Sequence, residues 1–245
     1  MPPGFLAVAS QPSSSLSLDE FHAWYEEEHI PLRLNHLPSF LSGARYQAID
    51  SIPGAPGWLA MYEIDDTATF GKESYTSLRA KRSEREKGVM QRLEVLTRIT
   101  GEDLGVYGQE EDEKNTGMKL NKPSDCVITH SLAVSGAEEH KDKITKEWAE
   151  KVAAEATAKI AGWARVRVVK VLESGKTEMG VATELQSAER VEYFIIHEFN
   201  DVNEAAIDAL HGVIFISVAE NISHWRLWKL YKAYPCIAQG NLDAA

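Results

Sequence analysis

The chain is poor in cysteine, poor in basic charge and free of long apolar runs, and each shortage removes a class of protein. Its two cysteines, Cys126 and Cys236, stand far apart in 245 residues. They form neither a disulfide framework nor the paired spacing of a zinc site, and they suit a reducing compartment. Lys and Arg number 26 against 37 Asp and Glu, a formal charge of −11. A general binder of phosphate backbones needs a basic face, so nucleic acid is not an expected partner. No stretch reaches the roughly 18–20 apolar residues of a membrane span. The opening MPPGFLAVASQ lacks the basic start and apolar centre of a signal peptide. A cytoplasmic protein is expected. Also missing are Gly-x-Gly-x-x-Gly, a P-loop, a Gly-x-Ser-x-Gly elbow and Cys-x-x-Cys, so nucleotide, Rossmann-flavin and serine-hydrolase chemistries have no sequence support.

What is present suffices for a core. Hydrophobic residues make up 44% of the chain, and the length fits one large domain or two small ones. Strands are expected over 5–10, 43–50, 58–64 and 93–100, the last running on towards 107. Helices are expected over 18–29 and 65–82, with the second resuming to 90. The order is β-α-β-β-α-β, the ferredoxin-like pattern. Residues 109–124, with Glu110-Glu111-Asp112-Glu113-Lys114, read as a solvated linker.

The pattern then repeats, with strands over 126–134, 164–172, 192–199 and 224–234 and helices over 138–160 and 203–210. Two short matches support a duplication. Gly43-Ala44-Arg45 resembles Trp163-Ala164-Arg165, and Tyr62-Glu63-Ile64-Asp65-Asp66 resembles His197-Glu198-Phe199-Asn200-Asp201. One such unit leaves a sheet face bare; two can pack face to face or curl into one barrel. The expected fold class is therefore α+β, two ferredoxin-like repeats joined as an intramolecular barrel. The domains would be 1–108 and 125–236, with a tail over 237–245.

The densest group of aromatic, His and carboxylate side chains runs from Ser17 to Tyr46. Ser17 followed by Glu20 is a capping-box signature. Phe21, Trp24 and Glu28 share one stripe of the helix, and His22, Tyr25 and His29 share the next. Pro31 is expected to end or kink it. His29 is the leading candidate for general acid or base, since an imidazole exchanges protons near neutral pH. Glu28 is its sequence neighbour, yet it points about 100° away on a regular helix. Packing explains Trp24 as readily as a pocket wall does; Tyr25 is the better pocket candidate. Arg45 could hold a substrate oxygen or pair with Glu63 or Glu198. Tyr62 and His197 occupy matching strands and are either cavity-facing or satisfied core residues. His22, His29 and His36 recur every seven residues, about 10.5 Å apart along a helix, too far to share one metal ion. No metal is expected.

Trp24-Tyr25, then Glu28-His29-Ile30-Pro31-Leu32-Arg33-Leu34, then Phe40 and Gly43-Ala44-Arg45-Tyr46, resembles the first-helix signature of the dimeric α+β barrel superfamily. Within that superfamily the sequence is most similar to fungal EthD-domain-like proteins. The likeness covers roughly 5–107; the second half lacks the Glu-His signature. It implies a cavity for a small hydrophobic or aromatic substrate, no cofactor (haem on a lone histidine stays open) and a monomeric pseudo-dimer or a homodimer. It implies lyase, isomerase or dehydratase chemistry of secondary metabolism, with a cofactor-free monooxygenase of a phenol or anthrone, or a non-catalytic binder, as the alternatives.

Overall fold

Alternation along the strands sets the architecture, known from a computed structural model that describes residues 1–108, 117–185, 191–200, 202–216 and 221–242. In β1 (Gly4–Pro12), Leu6 and Val8 join one hydrophobic cluster while Phe5 and Ala7 join another. The same split recurs in β2 (Phe40–Ala48) and β3 (Trp58–Ile64), where Trp58, Ala60 and Tyr62 lie on one face and Leu59 and Met61 on the other. A sheet buried on both faces needs a layer on each side. Helices cover the outer face; the sheet's own curvature covers the inner one.

The remaining elements of the first half are α1 (Leu18–Trp24), a π-helical turn (Tyr25–His29), α2 (Pro31–Leu34), a 3-10 turn (Thr67–Gly71), α3 (Glu73–Ala80), α4 (Glu84–Met90) and β4 (Leu93–Gly108). The second half runs β5 (Cys126–Ala133), α5 (Glu138–Lys159), β6 (Trp163–Glu178), β7 (Val181–Thr183), β8 (Tyr193–Phe199), α6 (Glu204–Ile216) and β9 (Asn221–Ala233). The strands pair antiparallel in the order β4-β1-β3-β2-β9-β5-β8-β6, and β4 also pairs with β6. Eight strands thus close into a barrel, with β7 appended outside the ring. Two seams join the halves. Ala44–Ala48 runs against Trp228–Ala233, and Leu96–Gly108 against Arg165–Thr177. The second seam bends at Gly101, where a Cβ would strike Val169 and the Lys170 carbonyl.

One end of the barrel interior is closed by ions. Arg167 of the second half reaches Glu63 at 2.5 Å and also bonds Asp103, both of the first half. Arg165 Nε donates to Glu198 at 2.7 Å, and Ser124 Oγ donates to the same carboxylate at 3.0 Å. Burial alone would raise the Glu63 carboxyl, but the Arg167 charge overrides it and holds it below the usual range. Breaking such a buried pair costs about 3–5 kcal/mol, so this cluster locks the halves in one register.

Several expectations change. Residues 109–116 of the expected linker lie outside the described residues. Its remainder is built into the barrel: Met118 is buried and Tyr46 donates to the Gly117 carbonyl at 2.9 Å. Only glycine fits at 117, since a Cβ would collide with the Glu198 carboxylate. The match of Gly43-Ala44-Arg45 to Trp163-Ala164-Arg165 is out of register. Ser42 and Arg165 are the residues that face Glu63 and Glu198 in their strand pairs, so Arg165 points into the barrel while Arg45 lies under the helices. The match of Tyr62 to His197 holds: Tyr62 pairs with Leu6 and Gly43, His197 with Ile128 and Val166. Between the expected strands 164–172 and 192–199 lies more strand than expected, because β6 runs on to Glu178 and turns into β7.

Candidate functional site

The helix carrying the Glu-His signature does not stop at Pro31. Ser17 caps it, with its Oγ accepting from the Glu20 N–H at 3.2 Å. The reciprocal half of the box is absent, because the Glu20 carboxylate is taken by Arg92. After Trp24 the backbone widens into the π turn, and the Ile30 N–H donates to the Tyr25 carbonyl at 2.9 Å, five residues back. Pro31 has no N–H to offer Glu27 and its ring needs room; the wider turn provides that room, and α2 continues beyond.

The π turn changes which side chains meet. On a regular helix Trp24 and His29 would diverge by about 140°. Here their rings lie 4.5 Å apart, and the Tyr25 ring lies 5.1 Å from His29. The widened turn merges the two expected stripes into one wall. His29 sits in it with 13% of its side chain exposed.

His29 finds its carboxylate in a different helix from the one expected. Its Nδ1 lies 3.1 Å from Glu86 Oε1 on α4. A carboxylate only accepts, so Nδ1 carries the proton and Nε2 is left with its lone pair. Among the described residues Nε2 has no hydrogen-bond partner. Burial pushes the His29 imidazole down to about 4, helped by the Arg33 charge and opposed by Glu86. The ring is therefore neutral at pH 7. Glu86 is itself buried, which raises its carboxyl, yet the His29 bond and the Arg33 and Arg82 charges hold it low. Arg33 also donates to the His29 carbonyl at 2.7 Å.

Glu28 does not serve His29. It accepts from Ser83 Oγ at 2.5 Å, and Ser83 in turn caps α4 by accepting from the Glu86 N–H at 3.0 Å. Glu27 pairs with Arg85 at 2.8 Å. The acidic run thus docks the start of α4 onto the π turn, and that docking delivers Glu86. Ser83-x-x-Glu86 is itself a capping signature, the one sequence signal that α4 begins there.

Arg45 pairs with neither Glu63 nor Glu198. Its guanidinium lies 4.0 Å from the Tyr25 ring centroid, with Phe21, Trp58 and Tyr231 also around it. It contacts His22 Nδ1 at 3.0 Å and Glu26 at 3.4 Å. Glu26 also accepts from Tyr234 at 2.5 Å, so the segment after β9 in the second half braces the site. Tyr62 lies in the same helix-facing core; its hydroxyl and the Trp24 indole N–H are buried without a partner among the described residues. His197 is elsewhere. Fully buried in the second half, it bonds His130 at 3.1 Å and accepts from Trp163 Nε1 at 3.4 Å. Among the described residues no group of three or more His, Cys, Asp or Glu could hold a metal ion.

No protein-family model matches the chain, and no curated protein sequence matches it. Solved structures do match in fold. An anthrone oxidase-like protein superposes with a TM-score of 0.57 at 10% identity, covering 95% of this chain and 92% of its own. A mutant chlorite dismutase from Candidatus Nitrospira defluvii gives 0.55 at 8% identity, covering 99% and 94%. A provisional monooxygenase from Lactobacillus acidophilus gives 0.50 at 8% identity, covering 95% and 96%. These likenesses establish an α+β barrel. No helix among the described residues is long and apolar enough to cross a membrane.

Proposed function

We propose that the chain is a small-molecule enzyme in which His29 Nε2 takes a proton from an acidic C–H or O–H of a largely apolar substrate. The observation that carries this reading is the His29–Glu86 pair. A carboxylate fixes the tautomer, and the nitrogen that remains is unpartnered in a wall of Trp24 and Tyr25. An imidazole depressed to about 4 is always available as a base but is a weak one. It therefore needs a carbon acid or phenol that is already activated, with the Glu86 charge stabilising the imidazolium as the proton arrives. Elimination, isomerisation and ring closure begin this way, whereas decarboxylation first loses carbon dioxide and then takes a proton at carbon; all four belong to the EthD-like reading. Trp24, Tyr25 and Tyr62 would hold the ring system, with the unpartnered indole N–H and phenol O–H donating to substrate oxygens. Arg45 would stiffen Tyr25 from behind.

The fold shared with an anthrone oxidase-like protein favours a second reading with the same first step. Deprotonation of an anthrone gives an electron-rich carbanion that molecular oxygen attacks, with no cofactor. Incubation of the protein with an anthrone in an oxygen electrode separates the two readings. Oxygen uptake coupled to turnover selects the oxygenase, and an isomer or elimination product without uptake selects the proton-transfer enzyme. Ligand stabilisation without any product leaves only a binder. His29→Ala should abolish either turnover, and full activity in that variant would end the proposal.

The strand order supports the further reading that each half is one ferredoxin-like repeat. Taken within its own half, each reads fourth, first, third, second around the barrel. The repeats would be 1–108 and 125–236, acting as a pseudo-dimer in one chain, in the cytoplasm.

A further inference from the structure

The barrel interior is filled unevenly. Met118 and the ion pairs occupy one end; the other holds a cavity of about 480 Å³. That is within the roughly 300–1,000 Å³ of small-molecule sites. Inward side chains line it: Ala7 and Ala9 of β1, Leu59 of β3, Ile99 of β4, Phe194 of β8 and Trp228 of β9. The aromatic wall that carries His29 lies on the opposite, helix-covered face of the sheet. Two alanines at successive inward positions of one strand create the room. Valine or isoleucine would suit the strand better and would close much of the space. A void lined by apolar side chains costs stability in proportion to its volume, and a ligand that fills it removes that penalty.

No unpaired charge faces this space among the described residues. Neither Asp nor Glu lines it. Arg226 is held by Asp50 at 2.9 Å and Lys176 by Glu178 at 3.0 Å. Arg98 pairs with Glu173 at 3.5 Å and reaches Tyr75 in the core under the helices. His224 Nδ1 is engaged by the Ser131 and Ser223 hydroxyls, each at 3.1 Å. An ion entering here would shed its water and meet no free counter-charge. One polar group is left over. Thr129, 2% exposed, stands opposite the inward Ile196 and accepts from the Trp228 indole N–H at 2.9 Å. No described residue accepts its own O–H proton.

We propose that this end of the barrel is a second small-molecule site, for a neutral and largely apolar ring compound with one oxygen acceptor. The rings would fill the space beside Ala7 and Ala9, against Phe194 and Trp228. A carbonyl or hydroxyl oxygen would accept from Thr129. The site stands apart from the His29 chemistry and does not rest on it.

Alanine-methyl NMR of the full chain, titrated with 2-naphthylmethanol, locates this binding and measures it. The Ala7 and Ala9 methyl signals should shift and saturate. The anion 2-naphthoate and the cation of 2-naphthylmethylamine should each bind at least about tenfold more weakly than the alcohol. Thr129→Val keeps the side-chain shape, removes the donor and should weaken the alcohol about fivefold. Ala9→Phe fills the space and should weaken it at least about tenfold. His29→Ala should change none of these affinities while abolishing turnover, so this site and the proposed chemistry fail separately. Unmoved Ala7 and Ala9 signals with the alcohol at millimolar concentration, an acid or amine that binds as tightly as the alcohol, or full affinity in either cavity variant would each overturn the proposal.

Discussion

Both halves bury a histidine and a tryptophan beneath their helices, and the two groups are wired differently. In the second half the hydrogen bonds form a closed chain. Trp163 Nε1–H donates to His197 Nδ1, His197 Nε2–H to His130 Nε2, and His130 Nδ1–H to the Ser131 carbonyl. Every ring nitrogen is used, and one neutral tautomer of each histidine satisfies the whole chain. Trp225 stacks on His130 at 5.5 Å and Trp148 meets it edge-on at 6.0 Å. In the first half the chain stops one bond short. Glu86 takes the His29 Nδ1–H, and no described residue takes its Nε2. A saturated histidine pair stiffens a core; a histidine with one nitrogen spare and an exposed edge can exchange a proton with something else. The proposed function puts the chemistry in the first half and leaves the saturated pair of the second half to the core.

The largest effect that would break this contrast is on turnover. His29→Ala should lower the rate by about 10²–10⁴-fold, the usual weight of a general base, while leaving the urea midpoint nearly in place. His197→Ala should do the reverse. It removes the bonds that the Trp163 indole N–H and His130 Nε2 make to His197 in a dry core and should cost about 3 kcal/mol by denaturant titration, with the rate per folded molecule unchanged.

Acid sharpens the comparison. Burial pushes His29 and His130 down to about 4, and burial and the neighbouring His130 hold His197 well below the usual imidazole range. Unfolded, each titrates near 6.5. Between those values the unfolded chain binds more protons, so the stability these groups contribute is complete above pH 6.5 and drains away as pH falls through 4. Melting temperatures should therefore drop from pH 7 to pH 4. Replacing His130 and His197 together by Leu should flatten the fall, whereas His29→Ala should remove a smaller share, because its ring already reaches solvent and has Glu86 beside it.

The smallest effects separate the two carboxylates. Glu86→Gln keeps an acceptor for Nδ1–H but removes the charge that supports an imidazolium, and should cost about tenfold in kcat/KM. Glu28→Gln, which only loosens the tie to Ser83, should leave kcat/KM unchanged and stability within about 0.5 kcal/mol. Equal losses in both would mean that the acidic run acts as a unit.

Much of the fold was legible because strands and helices announce themselves locally. Short apolar runs marked β1, β3 and β8, and the bare sheet face of each half demanded a second layer, which the barrel provides. His29 stood out as a candidate from its place two residues before Pro31 and from the family likeness. Glu86 was not legible, because its partnership spans 57 residues and depends on how α4 docks. Nor was the π turn, since no periodicity signals a single widened turn, and it alone puts Trp24 beside His29. Arg165 was misjudged because the tripeptide match ignored a slip between Trp163 and Arg165 that sends the side chain inward. The burial of Met118 was hidden by the acidic residues that precede it.

The most direct test is the nitrogen-15 spectrum of the His29 ring across pH. A neutral ring at pH 7 with the proton on Nδ1 and a bare Nε2, gaining its second proton only near pH 4, is the expected result. An imidazolium at neutral pH, or a proton resident on Nε2, would contradict the claim that Glu86 prepares His29 as a base.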